Sequence, residues 1–128
     1  MKNLDYESCV NPSLTVEFAA GAFRFGHSQA RNDIPRATYD NKTYPAIDLG
    51  SNFFYADSLY DSSITGGTEA LLNGMVYNSG RKVDRFASFP IRNQLFEKRG
   101  QKASGVDLIA TNIQRGRDTG IFPYNDYR

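Results

Sequence analysis

The feature that most constrains the fold is a run of apolar residues at helical spacing near the start of the chain. These residues recur every three or four positions, at Leu14, Phe18, Ala22 and Phe25. One face of an amphipathic helix has this period. Asn11-Pro12 comes just before the run, and it suits a helix start because Asn can cap and proline fits the first turn. The pattern predicts a helix from about Pro12 to about Ala30.

Two more regions have helical spacing in the second half of the chain. A helix is predicted to begin at Thr68 and to end at Asn78-Ser79-Gly80. Its predicted apolar stripe contains Leu71, Leu72, Met75 and Val76. A third helical region is predicted from Lys82 to Lys98, interrupted by Pro90. Its predicted inward-facing residues are Val83, Phe86, Ile91, Leu95 and Phe96.

The last helix is predicted from the variant capping box Ser104-x-x-Asp107 to about Asp118, before Gly120. By contrast, the stretch from Asn32 to Ser51 is broken by two prolines, a glycine and several Asp and Asn residues. It is therefore predicted to be a long irregular surface loop. The aromatic cluster Phe53-Phe54-Tyr55 fits either a short helix or an extended segment. Because strand alternation is nearly absent, the predicted class is mainly α with long irregular loops.

Composition limits the function classes. The 128 residues suit one domain, 1–128, and the net charge of +1 favours neither nucleic acid nor an anionic membrane as a partner. No stretch approaches the roughly 20 apolar residues of a membrane-spanning helix, and the polar segment Lys2–Glu7 is no signal peptide. Cys9 is the only cysteine, so its thiol is either free or paired outside these residues. Asn41-Lys42-Thr43 is a sequon that would accept a glycan in the secretory pathway.

His27 is the only histidine. A single histidine on an apolar helix is more often a structural residue than a ligand, but the context of this one is unusual. Arg24 lies three residues earlier, so the two side chains share a face of the predicted helix. An imidazole beside a cation suits a haem, which needs a ligand for its iron and a positive charge for a propionate.

The last predicted helix has a similar pair, Asn112 and Arg115, at spacing i and i+3. Considered alone, Arg115 is best interpreted as part of a solvated basic helix end, because arginines near a helix C-terminus interact favourably with the helix dipole. Asn112 stands in mid-helix, where asparagine has no intrinsic preference. An asparagine there often forms a hydrogen bond to another element, and a metal-bound imidazole needs an acceptor for its second ring N–H.

Two long segments resemble the signatures of the animal haem peroxidases, in the right order. The segment Phe18-Ala19-Ala20-Gly21-Ala22-Phe23-Arg24-Phe25-Gly26-His27-Ser28 resembles that family's proximal-histidine helix. The segment Asp107-Leu108-Ile109-Ala110-Thr111-Asn112-Ile113-Gln114-Arg115-Gly116-Arg117-Asp118 resembles its second signature, which Tyr124-Asn125-Asp126-Tyr127 continues. Lys82-Val83-Asp84-Arg85-Phe86 fits the intervening region, so the resemblance covers nearly the whole chain.

The resemblance implies a role for four residues. His27 matches the axial ligand of the haem iron, and Asn112 matches the asparagine whose carbonyl accepts a hydrogen bond from that histidine. Arg24 and Arg115 match arginines that contact the haem propionates. The family fold is helical around the haem, and its members reduce hydrogen peroxide while oxidising halides, tyrosyl groups or other small donors. The resemblance also implies an extracellular location.

Other family features have no counterpart here. The family's distal histidine and arginine, its calcium loop and its haem-esterifying carboxylates lie upstream of the matched stretch. The expectation is therefore a proximal-side fragment of a longer enzyme, without peroxidase activity alone. Thr119 stands where the family usually has histidine, a position that does not bind the haem.

Two alternatives remain beside a working haem peroxidase. The first is an inactive peroxidase-like module for adhesion or binding. Retention of all four matched residues argues against it. The second is nucleic-acid binding through Gln114-Arg115-Gly116-Arg117, against which the nearby acidic residues and the low net charge argue.

Overall fold

The computed structural model describes residues 6–60 and 66–128. Part of the polar N-terminal segment considered above lies outside the described residues. The fold is mainly α, as predicted, with one two-stranded hairpin. The elements are helix α1 (Val16–Ala20), a 3₁₀ helix (Ala22–Gln29), strands β1 (Asp33–Ala37) and β2 (Thr43–Asp48), a short 3₁₀ turn (Gly50–Asn52), and helices α2 (Asp57–Tyr60), α3 (Gly67–Tyr77), α4 (Phe89–Asn93), α5 (Leu108–Asp118) and α6 (Tyr124–Tyr127). Among the described residues, no helix is long and apolar enough to cross a membrane.

The first predicted helix is shorter than expected and is divided in two. Helix α1 begins after Thr15, whose hydroxyl accepts a hydrogen bond from the backbone N–H of Phe18, and not at Asn11-Pro12. The chain breaks at Gly21, which has φ −121° and ψ −84°. The 3₁₀ helix Ala22–Gln29, called the His27 segment below, follows this break. The predicted helical character of this region is confirmed, and the predicted single helix is wrong.

The region expected to be a long irregular loop forms an antiparallel hairpin instead. Ile34 pairs with Ile47 and Ala37 with Thr43, and the register shifts between Ile34 and Arg36. Pro35 lies at this irregularity, where a residue without an N–H costs no ladder bond. A proline at a bulge therefore interrupts the sequence pattern without preventing the sheet.

Helix α3 is confirmed within a residue or so, but it buries a different face from the one predicted. Its buried residues are Gly67, Ala70, Leu71 and Gly74. Leu72, Met75 and Val76 of the predicted stripe are exposed. The face of α3 that contains its glycines and Ala70 lies against β1. A Cβ atom added at Gly74 would come 2.1 Å from the Pro35 carbonyl oxygen. Close backbone approach therefore decides the packing of this helix, in place of large side chains.

The third predicted helical region is mostly irregular. Only α4 is helical, and Pro90 lies in its first turn, where it is tolerated. Of the residues predicted to face inward, Ile91 is buried, whereas Val83, Phe86 and Phe96 are exposed. Phe96 has a positive φ of 59° at the end of an isolated bridge between Leu95 and Val106.

Helix α5 ends at Asp118, as predicted. Its N-cap is Asp107, whose carboxylate accepts hydrogen bonds from the backbone N–H groups of Ile109 and Ala110. The predicted Ser104 cap is wrong, because the Ser104 hydroxyl accepts from the Lys98 backbone N–H. Gly120, with φ +70°, lets the N–H of Ile121 bond to the Gly116 carbonyl, which closes the helix in a Schellman arrangement.

Candidate functional site

The structure brings together three of the four predicted site residues, across a separation of 85 positions or more in sequence. The Asn112 Nδ2 atom lies 2.7 Å from the His27 Nδ1 atom. The Arg24 guanidinium donates a hydrogen bond to Asn112 Oδ1 at 2.9 Å. The site therefore joins the His27 segment to α5 through a single amide side chain.

The position of Asn112 follows from how α5 begins. The two N–H groups that the Asp107 carboxylate binds fix the first turn, and the favourable interaction of that charge with the helix dipole adds to the cap. Asn112 comes one turn later, on the face towards the His27 segment. Because its amide bonds to two partners on another element, a polar residue in mid-helix is satisfied there.

The expected pairing of Asn112 with His27 is present, and the amide faces the opposite way from the expectation. Its NH₂ group donates to Nδ1 of His27, and its carbonyl oxygen accepts from Arg24. Arginine has donors only, so Arg24 selects the oxygen end of the amide. In this arrangement Nδ1 is an acceptor, and the proton of a neutral imidazole is on Nε2.

The surroundings of His27 favour the neutral imidazole over the imidazolium. Partial burial, and then the positive charge of Arg24, lower the pKa of His27 below its ordinary value of 6.5. Both causes disfavour the imidazolium, since a buried cation loses hydration and Arg24 repels it. A neutral imidazole is the form of histidine that binds metals.

Arg115, the fourth predicted residue, makes a different contact. Its guanidinium pairs with Asp118 at 3.3 Å, and about half of its side chain is exposed. Together with Asp118 it lines a groove of about 470 Å³ on α5, and neither Asn112 nor His27 lines that groove. The propionate role expected for Arg115 therefore stays a prediction.

The donor set fits a haem better than a bare ion. Within residues 6–60 and 66–128, no group of three or more His, Cys, Asp or Glu side chains could enclose a metal ion. His27 offers a single nitrogen ligand, and its Nδ1 atom already contacts a neighbouring side chain, Asn112. In metal-bound histidines the second ring nitrogen usually donates its N–H to such a neighbour. A haem needs one protein ligand of this kind on each face at most, because its porphyrin supplies the other four nitrogens.

One contact near the site was not anticipated from the sequence. Ser28 is buried, and its hydroxyl donates to the Phe25 carbonyl at 2.8 Å. The Ser28 Oγ atom also accepts a hydrogen bond from the Asp84 backbone N–H at 3.4 Å, which links the His27 segment to the region after α3. Serine has many roles in exposed turns, so no sequence signal marks this one.

Comparison with known proteins decides the family. The family model for animal haem peroxidases matches residues 1–128. The chain belongs to the animal haem peroxidase family. It is 54% identical over 123 residues to "Heme peroxidase 2" of Caenorhabditis elegans, a match that covers 96% of this chain and 17% of the relative. Peroxinectin A of Dictyostelium discoideum is 33% identical over 123 residues, covering 96% of this chain and 22% of that protein.

A solved structure gives the same answer for the fold. Peroxidase A from Dictyostelium discoideum superposes with a TM-score of 0.77 and 32% sequence identity, over 94% of this chain and 22% of that one. The predicted membership and fold class are thus confirmed. The chain spans about a fifth of the length of each of these three proteins.

Proposed function

We propose that His27 is the axial ligand of a haem iron in a peroxidase that reduces hydrogen peroxide and oxidises an organic or halide donor. The observation that carries this proposal is the 2.7 Å contact between Asn112 and His27 Nδ1. It holds the ring through one nitrogen, and within the described residues no hydrogen bond involves the other, Nε2. Nε2 is therefore the atom that would bind iron.

Binding at Nε2 imposes a requirement on Asn112. A neutral imidazole that binds metal through Nε2 has its proton on Nδ1, and that N–H needs an acceptor. Asn112 can provide one by a half-turn of its amide, which presents Oδ1 to the ring. The half-turn would point its NH₂ group at the Arg24 guanidinium, and two donors cannot bond to each other.

Arg24 therefore needs a new acceptor once the imidazole is a ligand. A haem propionate is an acceptor of the required charge, and a buried carboxylate is costly unless it is paired. We assign Arg24 to a propionate on this basis. Arg115 would serve another propionate by leaving Asp118, and this exchange costs little because exposed ion pairs contribute little stability.

The bound haem would supply the iron centre at which peroxide is reduced and the donor oxidised. Asn112 would orient the His27 ring, and Arg24 and Arg115 would neutralise the propionates. Proton transfer to peroxide would require other residues of the enzyme. An extracellular site of action and a part in the response to oxidative stress belong to the proposal. They rest on family membership and on the resemblance of the motifs.

The test replaces the ligand in the haem-loaded protein. His27→Ala should reduce the Soret absorbance and the bound iron to background, because His27 is the only histidine among the 128 residues. Gln29→Ala is the matched control, since Gln29 is exposed in the same 3₁₀ helix and its backbone carbonyl bond to Arg81 is kept. Circular dichroism of both variants checks that the fold persists. Normal iron content in folded His27→Ala would refute the assignment.

A further inference from the structure

The hairpin turn between β1 and β2 contains a modification motif that the haem site does not use. The residues Asn41-Lys42-Thr43 form the sequence Asn-x-Thr, and no other such tripeptide occurs in the 128 residues. The turn is closed by two backbone hydrogen bonds, from Thr38 N–H to the Lys42 carbonyl at 2.8 Å and from Asn41 N–H to the Thr38 carbonyl at 3.0 Å. The motif therefore lies at the tip of an ordered hairpin.

Asn41 is exposed and has a φ of 61°. Asparagine tolerates this left-handed conformation better than most residues, so the conformation alone explains why an asparagine could stand here. It does not explain the threonine two residues later. The two readings, a turn residue and an acceptor, are separable by experiment because they depend on different atoms.

Other side chains hold the turn together. Asp40 accepts from the Thr38 hydroxyl and pairs with the Lys42 ammonium at 2.9 Å, and the Lys42 N–H donates to the Thr38 hydroxyl at 2.9 Å. In the part of the chain that the structure describes, neither the side-chain amide of Asn41 nor the hydroxyl of Thr43 takes part in a hydrogen bond. A group attached to the Asn41 amide would therefore break no contact of the turn.

The space around the tip also suits a large attachment. Residues 39–43 are all exposed, and the buried part of the hairpin begins at Ala37. The turn is anchored from its other side, since the Tyr77 hydroxyl donates to the Tyr39 carbonyl at 2.7 Å. A sugar chain at Asn41 would extend into solvent without touching the hairpin's packing against α3.

We propose that Asn41 carries an N-linked glycan when the chain passes through the secretory pathway. This inference rests on the extracellular location within the proposed function. The donor is a lipid-diphosphate-linked oligosaccharide. The Asn41 Nδ2 atom forms a bond to the anomeric carbon, the bond from that carbon to the diphosphate breaks, and the amide loses one proton. No oxidant or reductant is required.

The experiment expresses the haem-loaded protein behind a cleavable secretion leader in a eukaryotic cell. The secreted protein is treated with an amidase that removes N-glycans and converts the glycosylated asparagine to aspartate, in water labelled with heavy oxygen. Peptide mass spectrometry then reads position 41. Labelled aspartate there is the expected result, and an unmodified Asn41 in the secreted protein would overturn the proposal.

Three variants separate the glycan from the turn. Thr43→Ser keeps the motif and should keep the glycan, whereas Thr43→Val keeps the shape and the strand but should lose it. Asn41→Gly suits the positive φ and should fold normally without a glycan. A glycan that persists in Thr43→Val would contradict the assignment of this motif.

Haem content is measured on the same preparations and is an independent result. Full haem content without a glycan would refute the glycosylation of Asn41 alone. A glycan without bound haem would refute the proposed function alone.

Discussion

Two regions of the molecule are held together in different ways. The hairpin unit, defined as β1, β2 and α3, has a packed interior in which Ala37 is 0% exposed, Ala70 3% and Ile47 5%. The site region, defined as the His27 segment and α5, is joined by hydrogen bonds of one amide, and within it Phe23 is 64% exposed and Ile113 56%. The first region depends on close packing and the second on polar contacts.

The glycines show the same difference. At Gly74 an added Cβ would meet the Pro35 carbonyl oxygen at 2.1 Å and the Arg36 Cα at 2.8 Å. At Gly26 and Gly116, which lie beside the site residues, an added Cβ would meet nothing within 4 Å. The hairpin unit is therefore intolerant of added volume, whereas no described residue crowds the backbone at Gly26 or Gly116. Within the described residues, close packing thus holds the hairpin unit together, whereas hydrogen bonds join the His27 segment to α5.

The largest change is expected from Gly74→Ala. The new methyl group collides with backbone atoms, which cannot move away as a side chain would, so β1 and α3 must separate. Overpacking outweighs the gain in helix propensity, and the net loss should be about 2 kcal/mol of unfolding free energy. Chemical denaturation of the variant and of the parent protein measures it. An unchanged unfolding midpoint would show that this region is not close-packed.

A smaller loss is expected from Asn112→Ala, which removes the polar link of the site region. Because the lost hydrogen bonds are only partly buried, the cost in stability should be about 1 kcal/mol, measured by the same denaturation. In the haem-loaded protein the haem should stay bound while the iron midpoint potential rises, since the ligand loses an acceptor that raises its basicity.

Asn112→Asp is the matched control for that variant. It keeps an acceptor and adds a negative charge, so it should move the midpoint potential the opposite way. Equal midpoint potentials in the parent protein and both variants would show that Asn112 does not act on the iron through His27.

The smallest change is expected from Gly116→Ala, and it has the opposite sign. Gly116 lies inside α5 with open space around it, so alanine should stabilise the helix by about 0.5–1 kcal/mol. Thermal unfolding of the pair Gly116→Ala and Gly74→Ala gives the comparison directly. A loss at Gly116 equal to that at Gly74 would mean that the two regions do not differ.

The proximity of Arg24, His27 and Asn112 could be predicted from the sequence better than the hairpin could. Arg24 and His27 are three residues apart, as are Asn112 and Arg115, and both pairs stand in motifs long enough to be recognised. The direction of the Asn112 amide could not be predicted, because it depends on which end Arg24 contacts in three dimensions. The ion pair of Arg115 with Asp118 could not be predicted either, because an exposed arginine can pair with any exposed carboxylate within its reach.

The hairpin was missed for a physical reason. Its pairing tolerates Pro35 at a register shift, and Pro45 lies in β2 with its carbonyl accepting from the buried Arg36. In the sequence, however, each proline indicates a loop, because proline usually interrupts a strand. The buried face of α3 was missed because glycine and alanine contribute little to a hydrophobic pattern, although they permit the closest approach. Sequence periodicity detects large side chains, and this interface has few of them.

The most direct test of the central claim restores the ligand from solution. His27→Gly should remove the imidazole and leave a space beside Asn112, so the purified protein should lack the Soret band and bound iron. Added imidazole should restore both in a concentration-dependent way, and the restoration should weaken when Asn112 is also changed to alanine. Full haem and iron in His27→Gly without imidazole would contradict the claim that His27 binds the haem iron.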